Sequence, residues 1–204
     1  MYFDVRLIVE ATNRKCAIEK ASTVGEVRTC VRVPKTSTKS SAGRSERAFA
    51  EFLTEWLGGR VVRSPGSGSM KAICGDFVGV EPKSADFFSA FCVELKTVPS
   101  AKYTSVLDKD FLKFHDEVVL KTFDEGINSQ RVPIIVFKAK RFECVSVPWK
   151  LATLRNLPFL LRVTEKYVTA IIEFTTFFKE SPDDLKLLAS EVLKDLTAGG
   201  VYGV

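Results

Sequence analysis

Two periodicities divide this chain. From Tyr2 to Val9, Phe3, Val5, Leu7 and Val9 alternate with polar positions, and Val27 to Val33 alternates in the same way, which predicts strands separated by the turn material Thr12-Asn13-Arg14-Lys15 and Ser22 to Glu26. Lys35 to Gly43 is rich in Ser, Thr and Lys and predicts a linker. Ala48, Phe49, Phe52, Leu53, Trp56 and Leu57 then recur at helical spacing, a helix capped by Ser41 or Ser45 and stopped by Gly58-Gly59. A short strand over Arg60 to Arg63 and a Gly/Ser/Pro loop over Ser64 to Lys71 follow. Ile73 to Val80 and Phe87 to Thr97 predict two strands, joined by the polar Glu81 to Asp86 turn as an antiparallel hairpin.

The second half repeats the alternation of helix and strand. Phe111, Phe114, Val118, Val119 and Phe123 form the apolar stripe of a helix over Asp108 to Glu125, and Val132 to Ala139 is a nearly continuous apolar run expected to be buried on both faces. Cys144 to Trp149 and Leu160 to Phe178 are strand-rich. Pro182 to Leu196 is an amphipathic helix opened by Ser181-Pro182-Asp183-Asp184. The expectation is an α/β fold with a mixed central sheet flanked by helices, extra strands at both ends, and a C-terminal helix.

Composition narrows the class. With 204 residues, 46% of them hydrophobic, the chain has material for one domain with an elaboration, and global disorder is excluded. Asp4, Arg6 and Glu10 break the N-terminal apolar pattern, and no apolar run reaches the roughly 18 residues a membrane span needs, so no membrane partner is expected. The five cysteines, at 16, 30, 74, 92 and 144, form no CxxC pair; reduced buried thiols, a cytoplasmic location and no zinc are expected. His115 is the single histidine, too little for a histidine metal cage or a Ser/His/Asp triad, and is expected to be structural or solvent-exposed.

Candidate chemistry lies between Arg63 and Thr97. In a strand, Glu94 and Lys96 leave one face while Val93 and Leu95 enter the core on the other. Taken alone, Glu94-Leu95-Lys96 is also what a solvated strand end looks like. Asp76, entering the preceding apolar run, changes the picture: two carboxylates brought together repel unless a cation lies between them, and hard divalent ions are held by one or two carboxylates plus water and phosphate oxygens. An amine beside such a pair orients or deprotonates water, or steadies charge developing on phosphorus. Net charge is +5, and between Arg28 and Arg47 six basic residues, Lys35, Lys39 and Arg44 among them, stand against the single acid Glu46. That run suits a phosphate backbone or, equally, a solvated loop.

Taken together, these motifs resemble the PD-(D/E)XK nuclease superfamily, and within it the archaeal Holliday-junction resolvases and related phage and viral nucleases. Gly43-Arg44-Ser45-Glu46-Arg47 is similar to the opening helix with its acid, Val62-Arg63-Ser64-Pro65 to the strand and loop after it, and Gly75-Asp76 and Glu94-Leu95-Lys96 to the metal-binding core. The resemblance covers about residues 40 to 140 and divides the chain into an N-terminal extension and basic linker (1–39), a catalytic core (40–141) and a C-terminal elaboration (142–204). It implies a restriction-endonuclease-like core. It also implies a metal-dependent phosphodiesterase cutting DNA, with Glu46, Asp76, Glu94 and Lys96 as catalytic residues. Asp76, Glu94 and the Leu95 backbone carbonyl would hold Mg²⁺, or Mn²⁺ as a substitute. Arg44, Arg63, Ser64, Lys35 and Lys39 would contact DNA. Branched or structured DNA, a homodimer and, for a viral protein, the host cytoplasm belong to the same expectation. Alternatives are a sequence-specific or defence nuclease of the superfamily and a non-catalytic DNA-binding module. Gly75 stands where the family has Pro before its first Asp, and no Gln occupies the following helix, where Asp116 or Glu117 is the substitute on offer.

Overall fold

The computed structural model describes residues 38–64, 74–98 and 103–198, with the backbone alone at 38–42. By internal contacts the chain separates into Met1–Ser40 and Ser41–Val204, and nearly all described residues belong to the second unit. The strands expected over Tyr2 to Val9 and Val27 to Val33 lie outside the described residues.

Helix α1 (Thr38–Leu57) buries Phe49, Leu53 and Leu57, spaced one helical turn apart, so a single stripe faces the core. Gly58 ends it in the left-handed conformation at φ 62°. The helix begins at Thr38, which corrects the expected linker: 38–43 is already helical, and Ser41 and Ser45 lie inside the helix rather than at its cap. Strands β1 (Val61–Arg63) and β2 (Phe77–Gly79) pair antiparallel, with Arg63 opposite Phe77.

The expected hairpin between the two central strands does not form. Residues Pro82–Ala90 make helix α2, which separates β2 from strand β3 (Phe91–Thr97) and places them in different sheets. Pro82 fits the first turn of a helix, where its missing N–H costs nothing. Ser84 Oγ donates to the Arg60 carbonyl at 2.7 Å, and Phe87 and Phe88 are buried, so the expected polar turn and the first residues of the expected strand form one helix with a small apolar face. Gly79 permits the contact, since a Cβ there would lie 2.2 Å from the Ser84 carbonyl carbon.

The main sheet has five strands in the order β3-β4-β5-β7-β6, completed by β4 (Val132–Lys138), β5 (Glu143–Pro148), β6 (Leu160–Val163) and β7 (Val168–Glu173). Strands β3 and β4 are parallel, joined through helix α3 (Lys109–Asn128), and the other neighbours are antiparallel. Short helices α4 (Trp149–Leu154) and α5 (Phe174–Phe177) and the C-terminal α6 (Pro182–Thr197) complete the described part. The sheet is covered on both faces. Val93, Leu95, Ile134 and Val136 pack with α1, α2, α4 and α6, whereas Ile135 and Phe137 pack with Phe111, Val119 and Phe123 of α3. Alternating residues of β4 therefore enter opposite halves of the core, as its continuous apolar run requires. This is a mixed α/β, restriction-endonuclease-like core.

His115 is fully buried on α3. Its Nε2 lies 3.0 Å from Ser146 Oγ on β5 and its Nδ1 3.3 Å from Asp116, which in turn binds the Arg162 guanidinium of β6 through both carboxylate oxygens. These groups have the composition of a hydrolytic triad, but Ser146 has no exposure to solvent, and the network ties α3 to two strands instead. Burial, the largest effect, holds the His115 pKa below its ordinary value despite the Asp116 hydrogen bond. The native state thus favours neutral imidazole, while the unfolded chain takes up a proton near pH 6.5. The stability this contributes is fully present above pH 6.5 and is lost as pH falls below it. The Asp116 carboxyl is also held low, so its contribution is lost only at more acid pH, below the ordinary carboxylate range. The urea midpoint is expected to drop more between pH 7.5 and 5 in the wild type than in His115→Gln; equal drops would contradict the buried neutral histidine.

Candidate active site

Strand β3 is an edge strand, and its open edge is where the site is built. The Asp76 N–H donates to the Val93 carbonyl at 2.9 Å, and Asp76 Oδ2 accepts the Leu95 N–H at 2.9 Å. Backbone and side chain of one residue thus satisfy two consecutive groups of β3 that would otherwise lack partners. The approach depends on Gly75, whose φ is +83° and whose place would put a Cβ 2.5 Å from the Val93 oxygen. What reads in the sequence as a departure from the family's Pro is therefore a steric requirement here.

Glu94 and Lys96 project from the β3 face opposite to buried Val93 and Leu95, as the period-2 reading predicts, and form an ion pair. Burial is the largest influence on Glu94 and, with the Asp76 charge, raises its pKa above the ordinary range; Lys96 only partly offsets them. For Lys96, burial works downward, but the Glu94 charge and hydrogen bond outweigh it and the net direction is up. One ammonium therefore does not neutralise the site. Glu125 on α3 adds negative potential at both Glu94 and Lys96, a contribution that its ordinary helical surface spacing gave no reason to expect.

Cys74 and Cys92 form a disulfide with a Cα separation of 5.6 Å, which corrects the expectation of reduced thiols at these positions. Each cysteine stands two residues before a site carboxylate, Cys74 before Asp76 and Cys92 before Glu94, so the covalent link fixes the same crossing that the Asp76 hydrogen bonds fix. Cys144 is a free buried thiol whose pKa burial pushes up to about 12, and Cys16 and Cys30 lie outside the described residues.

The remaining expected residues are placed around this crossing. Glu46, in α1, pairs with Arg63 at the end of β1 and not with the β3 residues. Ser64 follows Arg63, and its N–H donates to the Asp76 carbonyl at 2.8 Å. Ser64 is only 5% exposed, and its Oγ finds no hydrogen-bond partner among the described residues. Arg44 is exposed on α1, Lys35 lies outside the described residues, and of Lys39 only the backbone, in the first turn of α1, is described. Asp116 is held by His115 and Arg162, and Glu117 is exposed on α3.

A family model described as "Phage putative PDDEXK endonuclease" matches residues 38–186. The chain belongs to that family. The match runs through α6 as far as Lys186, so β5 to β7, beyond the reach of the resemblance read from sequence, are part of the family's fold. No curated protein matches the chain. In this nuclease family a divalent metal is general, and the donors present fit one: two carboxylates on crossing segments, one of them desolvated, beside a single cation that leaves them undercompensated. Among the described residues no cluster of three or more His, Cys, Asp or Glu side chains is arranged to hold a metal. No helix among the described residues is long and apolar enough to cross a membrane.

Replacing Gly75 by Ala is expected to displace Asp76 from β3, lowering stability by about 1 kcal/mol or more and weakening binding of Mn²⁺. Urea unfolding and Mn²⁺ titration measure the two effects. Wild-type values for both would show that Asp76 does not depend on the close approach.

Proposed function

We propose that this nuclease is a DNA endonuclease that hydrolyses phosphodiester bonds with a divalent cation, Mg²⁺ or in its place Mn²⁺. The observation that carries this reading is the convergence of Asp76, Glu94 and Lys96 on the open edge of β3. Asp76 and Glu94 would hold the ion, with the Leu95 carbonyl as the further ligand that the family resemblance implies. When bound, the ion supplies Lewis acidity toward phosphoryl oxygens and lowers the pKa of water. The chain's own residues supply placement and charge. The crossing at Asp76 keeps two carboxylates together at the edge of a buried sheet, Lys96 presents an ammonium to the attacking water or to the charge growing on phosphorus, and Arg63 is the guanidinium available to the phosphate. Glu46 orients Arg63. Branched DNA as substrate and action as a homodimer are the finer parts of this proposal and rest on the likeness to junction resolvases; a cytoplasmic location is proposed from the cysteine pattern.

Asp76→Asn and Glu94→Gln are expected to abolish cleavage while retaining DNA binding, because each removes a ligand charge and leaves the basic surface intact. Lys96→Ala should slow turnover by a factor on the order of 10² or more. A panel of linear, flapped and four-way DNA, with and without Mg²⁺, tests all three variants and the substrate class together. Near wild-type cleavage by both carboxylate variants would remove the site. Retarded but uncut DNA at every Mg²⁺ concentration would favour a binding module.

A further inference from the structure

A groove of about 560 Å³ runs between α1 and β1 beside the site, and three arginines line it. Arg47 comes from the helix, Arg60 and Arg63 from the two ends of the facing segment, and Glu51 is the one acid on the lining. The walls are tied together: Thr54 Oγ1 accepts the Val61 N–H at 3.0 Å and donates to the Ala50 carbonyl at 2.8 Å. Arg47 Nε donates to the Gly43 carbonyl at 3.0 Å, and the Arg60 N–H donates to Glu81 at 3.2 Å. The first bond holds the Arg47 guanidinium along its own helix through Nε alone, leaving its other N–H groups, the second holds the Arg60 backbone, and neither arginine makes an ion pair with an acid among the described residues.

The groove has a direction. Its Arg63 end abuts the site, because Arg63 lies opposite Phe77 in the β1–β2 pair and the next residue, Ser64, binds the Asp76 carbonyl. From Arg60 to Arg63 a strand advances about 10 Å, room for successive phosphates of a strand whose charges rise about 3.4 Å apart along the helix axis. Guanidinium is the group suited to this task, since its planar fork meets two phosphate oxygens at once. Arg47 and Arg60 are thirteen positions apart in sequence, and only the packing of α1 against β1 puts them on one path.

We propose that this groove is the track on which the phosphodiester backbone of a DNA strand runs into the Asp76–Glu94 crossing, with Arg47 and Arg60 as its phosphate contacts. The proposal rests on the nuclease reading for its ligand. The test is binding of labelled DNA by fluorescence anisotropy across a salt series, with Ca²⁺ replacing Mg²⁺, for the full chain, the double variant Arg47→Ala/Arg60→Ala and the double variant Arg47→Lys/Arg60→Lys. The alanine pair should bind all sequences about tenfold or more weakly at low salt and flatten the slope of log affinity against log salt by about 1.8, about 0.9 per lost phosphate contact. The lysine pair should keep most of the slope, which a purely structural role for the arginines would not predict. An unchanged slope in the alanine pair overturns the track. Wild-type protein that binds DNA with the full slope, loses it in the alanine pair and yet never cuts would overturn the nuclease reading and leave the track in place.

Discussion

The structure turns on how Asp76 completes the open edge of β3. An edge strand exposes unpaired N–H and C=O groups, and here two of them, at Val93 and Leu95, are taken by the backbone and carboxylate of a single residue. The same contact that satisfies the edge therefore fixes an acidic group within reach of Glu94. Gly75 makes the approach sterically possible, the Cys74–Cys92 disulfide ties the same two segments covalently, and α2 supplies the chain length that lets β2 and β3 leave each other's sheet.

The five-stranded sheet makes that edge a rigid platform. Both of its faces are covered, so β3 is held by Val93 and Leu95 from one side while Glu94 and Lys96 stand on the other. The cost is electrostatic. Burial disfavours the ionised form of Glu94, and Asp76 adds to the penalty instead of relieving it. A structural ion pair would be expected to balance its charges, and this one does not. The imbalance distinguishes the β3 pair from the Asp116–Arg162 pair, whose carboxylate is stabilised by a bidentate partner and whose role is to join helix to sheet.

Much of this was legible in the sequence, and the exceptions have physical causes. The alternation at Val93 to Lys96, the stripe of α3, the continuous burial of β4 and the start of α6 are local periodicities, and the fold kept each of them. Glu81 to Asp86 was read as a turn and Phe87 onward as strand because only Ser84, Phe87 and Phe88 of the helix Pro82–Ala90 are buried, too few to mark a helical face, and only Pro82 signalled its first turn. The disulfide joins residues 18 apart with no paired spacing, and cysteine connectivity is a property of the fold. Gly75 looked like a missing Pro because the demand for a positive φ comes from Val93, across the crossing. Glu125 and the arginine groove are likewise set by tertiary packing.

The central claim is that the Asp76–Glu94 crossing is a binding site for a divalent cation, held in place by the edge of β3. Electron paramagnetic resonance of Mn²⁺ titrated into the full chain, and into an Asp76→Asn/Glu94→Gln double variant shown by circular dichroism to be folded, tests it directly. The account predicts one saturable Mn²⁺ site in the wild type and its loss in the double variant. Saturable binding of equal affinity in both proteins would contradict it.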